Sequence, residues 1–209
     1  MKTLLGRSLL ILTACALAAG CSLSTPYPSR ALYTLNVSAP ASEAHPIPKP
    51  ITLRVRNLIA VEPFNGLNFI YRTAPTSITA DYYNAFAAPP ADLLTVQLVQ
   101  YLRATHTFAT VTDASGSATH QWVLEGRLQD LSIDVATPSK PEAILTLQIV
   151  ILDESGPITR VLFDHTYTER TPLPAAAPPP ANAAAAWSTC AHSLFQHLAT
   201  DLTTLPTSP

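Results

Sequence analysis

The chain has 209 residues, of which 47% are hydrophobic and only 12% charged, with a formal net charge of −2 at pH 7. That length supports one domain with a real core. No basic stretch exists to neutralise a phosphate backbone, so nucleic acid is excluded as a partner class.

Residues 1–20 read as a secretory signal. Lys2 and Arg7 form a short cationic start, Leu9, Leu10, Ile11 and Leu12 an apolar run, and small residues lead to a cysteine. The run is too short to span a bilayer, which takes about 20 apolar residues. The segment Leu17-Ala18-Ala19-Gly20-Cys21 resembles a bacterial lipobox, with Ala18 where that pattern prefers leucine. The resemblance implies cleavage before Cys21, acylation of that cysteine with fatty-acyl chains such as palmitate, and lasting membrane attachment, since two or more chains hold where one does not. Serine rather than aspartate at position 22 implies transfer to the outer membrane. Residues 21–30 then form a lipidated tether. The nine residues from Ser22 to Arg30 reach at most roughly 30 Å when fully extended. Without residues 1–20 the balance is ten basic against fourteen acidic residues, or −4. Cys190 is left as a lone thiol, expected to be buried and inert.

Residues 31–205 are expected to form a single domain, followed by a short tail at 206–209. Tyr33, Leu35 and Val37 alternate with polar residues as in a strand. So do Ile51, Leu53 and Val55, set against Thr52, Arg54 and Arg56. Prolines 40, 46, 48 and 50 punctuate the loop between these segments. Shorter strands are read at 67–72 and 77–82. Pro89-Pro90-Ala91-Asp92 opens a helix, with Leu94, Leu98, Tyr101 and Leu102 as its apolar stripe and an end near Thr105. Residues 121–169 read as a three-stranded meander. Its first strand changes phase between Leu128 and Leu131, which predicts a bulge near Asp130. Its middle strand, 143–153, is apolar on both faces and reads as a covered central strand. Asp153–Pro157 is a turn, and the last strand runs over 158–169. After a Pro/Ala-rich connection at 171–183, Asn182 is the expected N-cap of a second helix, whose buried face is Trp187, Ala191, Leu194, Leu198 and Leu202. Strands and helices in this order predict an α/β domain with helices packed on a mixed sheet.

Motifs for catalysis are missing: no G-x-S-x-G, H-E-x-x-H, S-x-x-K or phosphate-cradling glycine loop occurs. Asp164 and His165 are neighbours in a strand, so they point to opposite faces. His192 and His197 are five apart on a helix, whereas joint ligation wants a spacing of four. His106 and His120 flank loops and are expected to face solvent. No enzyme, cofactor or metal site is expected. What stands out is an aromatic cluster: Phe64, Phe69, Tyr71, Tyr82, Tyr83 and Phe86 are six of the thirteen Phe and Tyr residues. They either line the core or form a partly exposed patch for a protein partner or a lipid, with Tyr82, Tyr83 and Phe86 as the candidate interface.

The block Asp81-Tyr82-Tyr83-Asn84-Ala85-Phe86-Ala87-Ala88-Pro89-Pro90, followed by Leu93, Leu94, Leu98 and Leu102 and then Phe108-x-x-Val111, resembles the ABC-type transport auxiliary lipoproteins. Tyr33-x-Leu35, Leu53-x-Val55, Leu124-x-Gly126-x-Leu128 and the terminal amphipathic helix agree, so the resemblance covers about 31–205. Phe86 stands where that family usually has tryptophan. The resemblance implies a three-layer α/β sandwich with a mixed sheet flanked by helices. It also implies a non-catalytic periplasmic lipoprotein that serves a transporter of the MCE type, with an MCE-domain protein as partner, and that can form a homo-oligomer. A lipid-binding carrier and an envelope-assembly lipoprotein are the alternatives.

Overall fold

In the computed structural model, residues 29–40, 48–174 and 178–206 are described; the signal, Cys21 and most of the tether lie outside them. Nine strands form one mixed sheet: β1 (Ala31–Tyr33), β2 (Lys49–Val55), β3 (Ile59–Ala60), β4 (Asn68–Ala74), β5 (Ser77–Phe86), β6 (Phe108–Thr112), β7 (Trp122–Asp134), β8 (Glu142–Asp153) and β9 (Arg160–Pro172). Among the described residues two helices complete it, α1 (Pro90–Thr105) and α2 (Pro180–Thr204).

Strand β7 is the spine. Along one edge it pairs antiparallel with β8 over its whole length, and β8 pairs with β9, which gives the expected meander. Its other edge is shared in parallel by β2 near Trp122, β3 at Arg127 and Leu128, and β4 from Ser132 to Asp134. Strand β6 extends the sheet beyond β2, while β5 and then β1 extend it beyond β4. The predicted bulge is present: the β7–β8 register shifts between Leu128 and Asp130. The extra residue turns Leu131 and Ile133 to the face already occupied by Leu124 and Leu128, so one apolar face continues across the slip.

Both helices lie on that face. The side chains of Leu145, Leu147, Ile149 and Ile151 on β8 are fully buried beneath them, in one core with Leu94, Leu98 and Leu102 of α1. All five residues expected on the buried face of α2 have no exposed surface. Tyr101 of α1 packs its ring edge-on against Phe195 of α2, with centroids 5.6 Å apart, which sets the helices side by side. The α/β class, the mixed sheet and the single domain are therefore as expected. Of three layers, the described residues fill two. The other face of the sheet has no helix over it among the described residues and mixes ion pairs with apolar residues. Arg56 pairs with Glu125 and Glu154, Arg72 with Asp130, Arg170 with Glu142, and Gln148 bonds Asp164, while Ile70, Val123 and Ile144 are buried there. For the same reason β8 is covered by helices on one face only. Thr146 and Gln148 stand on the other, and neighbouring strands shield Ile144 there.

Other boundaries moved for local reasons. The second helix starts at Pro180 rather than after Asn182, because a proline at the first helical position needs no N–H partner and already holds a helical φ. Asn182 sits inside the first turn, its N–H bonded to the Pro179 carbonyl at 2.8 Å. Strand β9 runs on to Pro172, and β1 is shorter than the alternation suggested.

The core is most specific where the helix layer meets β4 and β5. The rings of Phe69 and Phe86 lie 4.7 Å apart, and both contact Trp187, at 4.8 and 5.3 Å. The Trp187 indole N–H donates to the Ser132 carbonyl at 3.1 Å, so its polar edge is satisfied inside the core. Cys190 is buried as expected. Burial pushes its thiol up to about 11, and its sulfur lies 3.1 Å from the Thr171 hydroxyl.

Three outcomes follow from this packing. Trp187→Ala removes the ring that joins both halves of the core and should cost about 3–5 kcal/mol in urea unfolding. At Gly126 an added Cβ would meet Leu58 Cδ2 at 2.3 Å and Ile149 Cδ1 at 3.1 Å. Gly126→Ala should therefore destabilise by about 1–3 kcal/mol. In a double-mutant cycle Leu58→Ala should cost less in that background than in the native chain, and additivity would show that the clash is not the cause. In a mature chain carrying Cys21→Ser, Cys190 should react with a thiol reagent at pH 8 only as fast as the protein unfolds.

Candidate functional site

The hairpin formed by β4 and β5 lies towards one side of the sheet, beyond β7, and Asp81 shapes its outer strand. The Asp81 carboxylate accepts the backbone N–H of Tyr83 at 2.8 Å and of Asn84 at 3.1 Å, and the Asn84 side-chain amide at 2.9 Å. It also meets the Tyr71 hydroxyl, whose pKa is pushed up to about 12 by burial first and by this carboxylate second. An aspartate bonding backbone two and three residues ahead makes an Asx-type bend. The bend sets Tyr82 and Tyr83 on the surface, 63% and 49% exposed, with their rings edge to face at 5.2 Å.

Of the three residues expected to form an interface, the structure brings two to the surface and withdraws the third. Phe86 is 1% exposed and belongs to the Phe69–Trp187 cluster, because the strand re-enters the core after Asn84. Its place in the interface is corrected to one in the core. Phe64 and Phe69 are buried as well. Two exposed residues escaped the sequence reading: Leu32 on β1, at 61%, and Ile78 on β5, at 46%. Leu32 gave no signal, since Ala31-Leu32-Tyr33 is apolar throughout. Ile78 flanked by Ser77 and Thr79 was legible only as a strand residue. The Asp81-x-x-Asn84 spacing could have announced the bend.

Strand β1 lies parallel to β5, with Ala31 opposite Asn84, Leu32 opposite Ala85 and Tyr33 opposite Phe86. It covers only this end of β5. The outer edge of β5 from Ser77 to Tyr83 has no partner strand among the described residues. The Arg30 guanidinium donates to the Asn68 side-chain carbonyl and fixes the point where the chain joins the domain.

The remaining titratable groups are dispersed into separate structural contacts. The His197 imidazole lies 2.9 Å from Glu169, His192 lies 3.2 Å from the Ser38 carbonyl, and His106 is a left-handed helix C-cap at φ 53°. His120, expected in solvent, is partly buried and sits 3.2 Å from Glu154. Asp164 and His165 point to opposite faces, as read from the strand. His165 packs edge-on against Tyr167 with ring centroids 4.6 Å apart, and the Tyr167 hydroxyl donates to Asp201 at 2.6 Å. Burial and this carboxylate hold the Tyr167 hydroxyl well above the usual phenol range. Among the described residues no three His, Cys, Asp or Glu side chains gather as metal ligands. Two shallow grooves flank α2. One, of about 390 Å³, is lined by His165, Tyr167, His197, Thr200 and Asp201. The other, of about 340 Å³, is lined by Asn36, Ser38, Ala185, Ser188, Thr189 and His192.

Comparison with solved structures finds the same fold in proteins of low sequence identity. Protein XCC0632 from Xanthomonas campestris, of family DUF330, superposes with a TM-score of 0.67 at 20% identity, over 82% of this chain and 92% of that one. An uncharacterised protein gives a TM-score of 0.63 at 10% identity, over 83% and 99%. The hypothetical protein CT253 from Chlamydia trachomatis gives 0.50 at 7% identity, over 75% and 97%. No curated protein matches the chain. The profile of the ABC-type transport auxiliary lipoprotein component matches residues 33–199, from β1 through most of α2, and spans the hairpin, the bulged strand and the tryptophan that joins them. The chain belongs to the ABC-type transport auxiliary lipoprotein family.

Proposed function

We propose that this protein is a non-catalytic adaptor of an ABC transport system of the MCE type, moving lipids or other hydrophobic molecules between membranes. Acyl chains on Cys21 hold it at the periplasmic face of the outer membrane. Its folded domain then contributes surface, not chemistry. Family membership supports the transport context.

The observation that favours an adaptor over a carrier is the packing between helices and sheet. A carrier needs unfilled apolar volume for an acyl chain. Here Trp187, Leu194, Phe195, Leu198 and Leu202 are fully buried in one core with β7, β8 and β9, and the two grooves beside α2 are shallow and interrupted by polar groups such as Asp201 and His192. Several exposed apolar side chains lie elsewhere, on the hairpin and at the turn between β8 and β9, where Ile158 is 74% and Val161 65% exposed, with Ile59 and Val96 standing singly. Exposed apolar clusters of this kind suit docking rather than cargo shielding. The long outer edge of β9, unpaired among the described residues, is suited to self-association of the domain.

The adaptor reading is tested by purifying the tagged lipoprotein in mild detergent and identifying co-purifying subunits by mass spectrometry. Recovery of an MCE-domain subunit in stoichiometric amount is the expected result. Its absence from cells that express such a transporter would overturn the reading. Co-extracted lipid that stays with a Cys21→Ser chain through gel filtration would point to the carrier instead.

A further inference from the structure

We infer that the outer flank of the β4–β5 hairpin, formed by Leu32, Ile78, Tyr82 and Tyr83, rests in the headgroup region of the bilayer that carries the Cys21 acyl chains. The domain is thereby held in one orientation. This inference rests on the anchored-lipoprotein reading and adds the surface that meets the lipid.

The direction and length of the chain before β1 carry the argument. Because β1 is parallel to β5 with Ala31 opposite Asn84, the backbone N-terminal to Ala31 leaves toward Tyr83 and Tyr82, not toward Phe86. The Arg30–Asn68 contact pins that exit to the hairpin. From Ser22 to Arg30 at most roughly 30 Å of chain separates the exit from the acylated cysteine. So short a connection keeps the surface beside the exit nearer the lipid than the opposite end of the sheet.

The chemistry of this surface matches an interface between water and hydrocarbon. Leu32, Tyr82, Tyr83 and Ile78 are 61%, 63%, 49% and 46% exposed. From Ser77 to Phe86 the one charged side chain is Asp81, and its carboxylate is turned inward onto the Tyr83 and Asn84 amides. Tyrosine rings with an apolar body and a polar hydroxyl favour the headgroup level, and leucine and isoleucine add apolar area. Arg30 supplies a cation beside them for lipid phosphates. The rest of the molecule offers a control. From Ser132, level with Ile70 and Ala80, to Trp122, level with Asp153, β7 runs about 30 Å at a strand's ~3.3 Å per residue. Ile158 and Val161 lie at that far end, so a membrane at the hairpin leaves them in the aqueous space for a protein partner.

The test uses the full-length acylated protein in vesicles of phosphatidylethanolamine and phosphatidylglycerol. An environment-sensitive fluorophore is attached at Leu32→Cys, Tyr82→Cys or Ile158→Cys, each replacing a side chain more than half exposed. Nitroxide-headgroup lipids should quench labels at positions 32 and 82 severalfold more than the label at 158, with blue-shifted emission only at the first two. In an Ile78→Ser, Tyr83→Ser background the quenching at 82 should fall while flotation and circular dichroism stay unchanged. Flotation with equal quenching at 82 and 158 would overturn the inference and leave the anchor intact. Emission at 82 that shifts only when the MCE-domain subunit is added would assign the flank to a protein and also overturn it. Chains that fail to float would refute the anchor, and the inference with it.

Discussion

Everything in this fold hangs on β7 having two edges with different obligations. One edge satisfies β8 continuously, and the other satisfies three short strands in turn. A strand's backbone groups must all be paired when buried, since an orphaned amide costs about as much as a lost hydrogen bond. The single extra residue between Leu128 and Asp130 reconciles these demands with an apolar face that stays on one side. Without that slip, Leu131 and Ile133 would point to the polar face and Ser132 into the helix layer. Gly126 serves the same strand by leaving room for Leu58, which arrives from the connection between β2 and β3.

A one-sided core has consequences for the surface. All the large aromatic anchors of the helix layer turn to one face, where Phe69, Phe86 and Trp187 join the hairpin half of the sheet to α2. The opposite face is left to ion pairs whose partners are mostly a quarter to a half exposed, each worth about 0–1 kcal/mol in water. Such a face remains soluble without contributing much to stability. Apart from Ile59 and Val96, most of the large apolar side chains left exposed lie towards two ends, the hairpin flank and the β8–β9 turn.

In the adaptor proposed above, those two ends take different roles. A domain held by a short tether has a near side and a far side, and the parallel pairing of β1 with β5 decides which end is which. The titratable groups fit this picture. Tyr71, Tyr167 and Cys190 are all held in their neutral forms by burial, and the histidines are divided among separate partners.

The sequence by itself determined the elements with a long, clean period. The stripe of α1, the five buried residues of α2, the meander and the bulge inside it were all legible, because burial on one face forces a repeat of two or about 3.6 residues. It also determined, through the ordered motifs from Tyr33 to the final helix, the family. Short elements were not legible. Strand β3 is two residues long, and β1 owes its existence to pairing with β5, fifty residues away. Aromatic content in 64–86 marked the hairpin as unusual but could not sort its members, since Phe86 and Tyr83 carry the same local signal. Only the tertiary structure decided that Phe86 meets Trp187, one hundred residues later, while an inward-turned aspartate holds Tyr82 and Tyr83 outside. The same holds for the layers: a helical stripe says that a helix is buried on one side, but which face of the sheet receives it depends on chain crossings that no local period records.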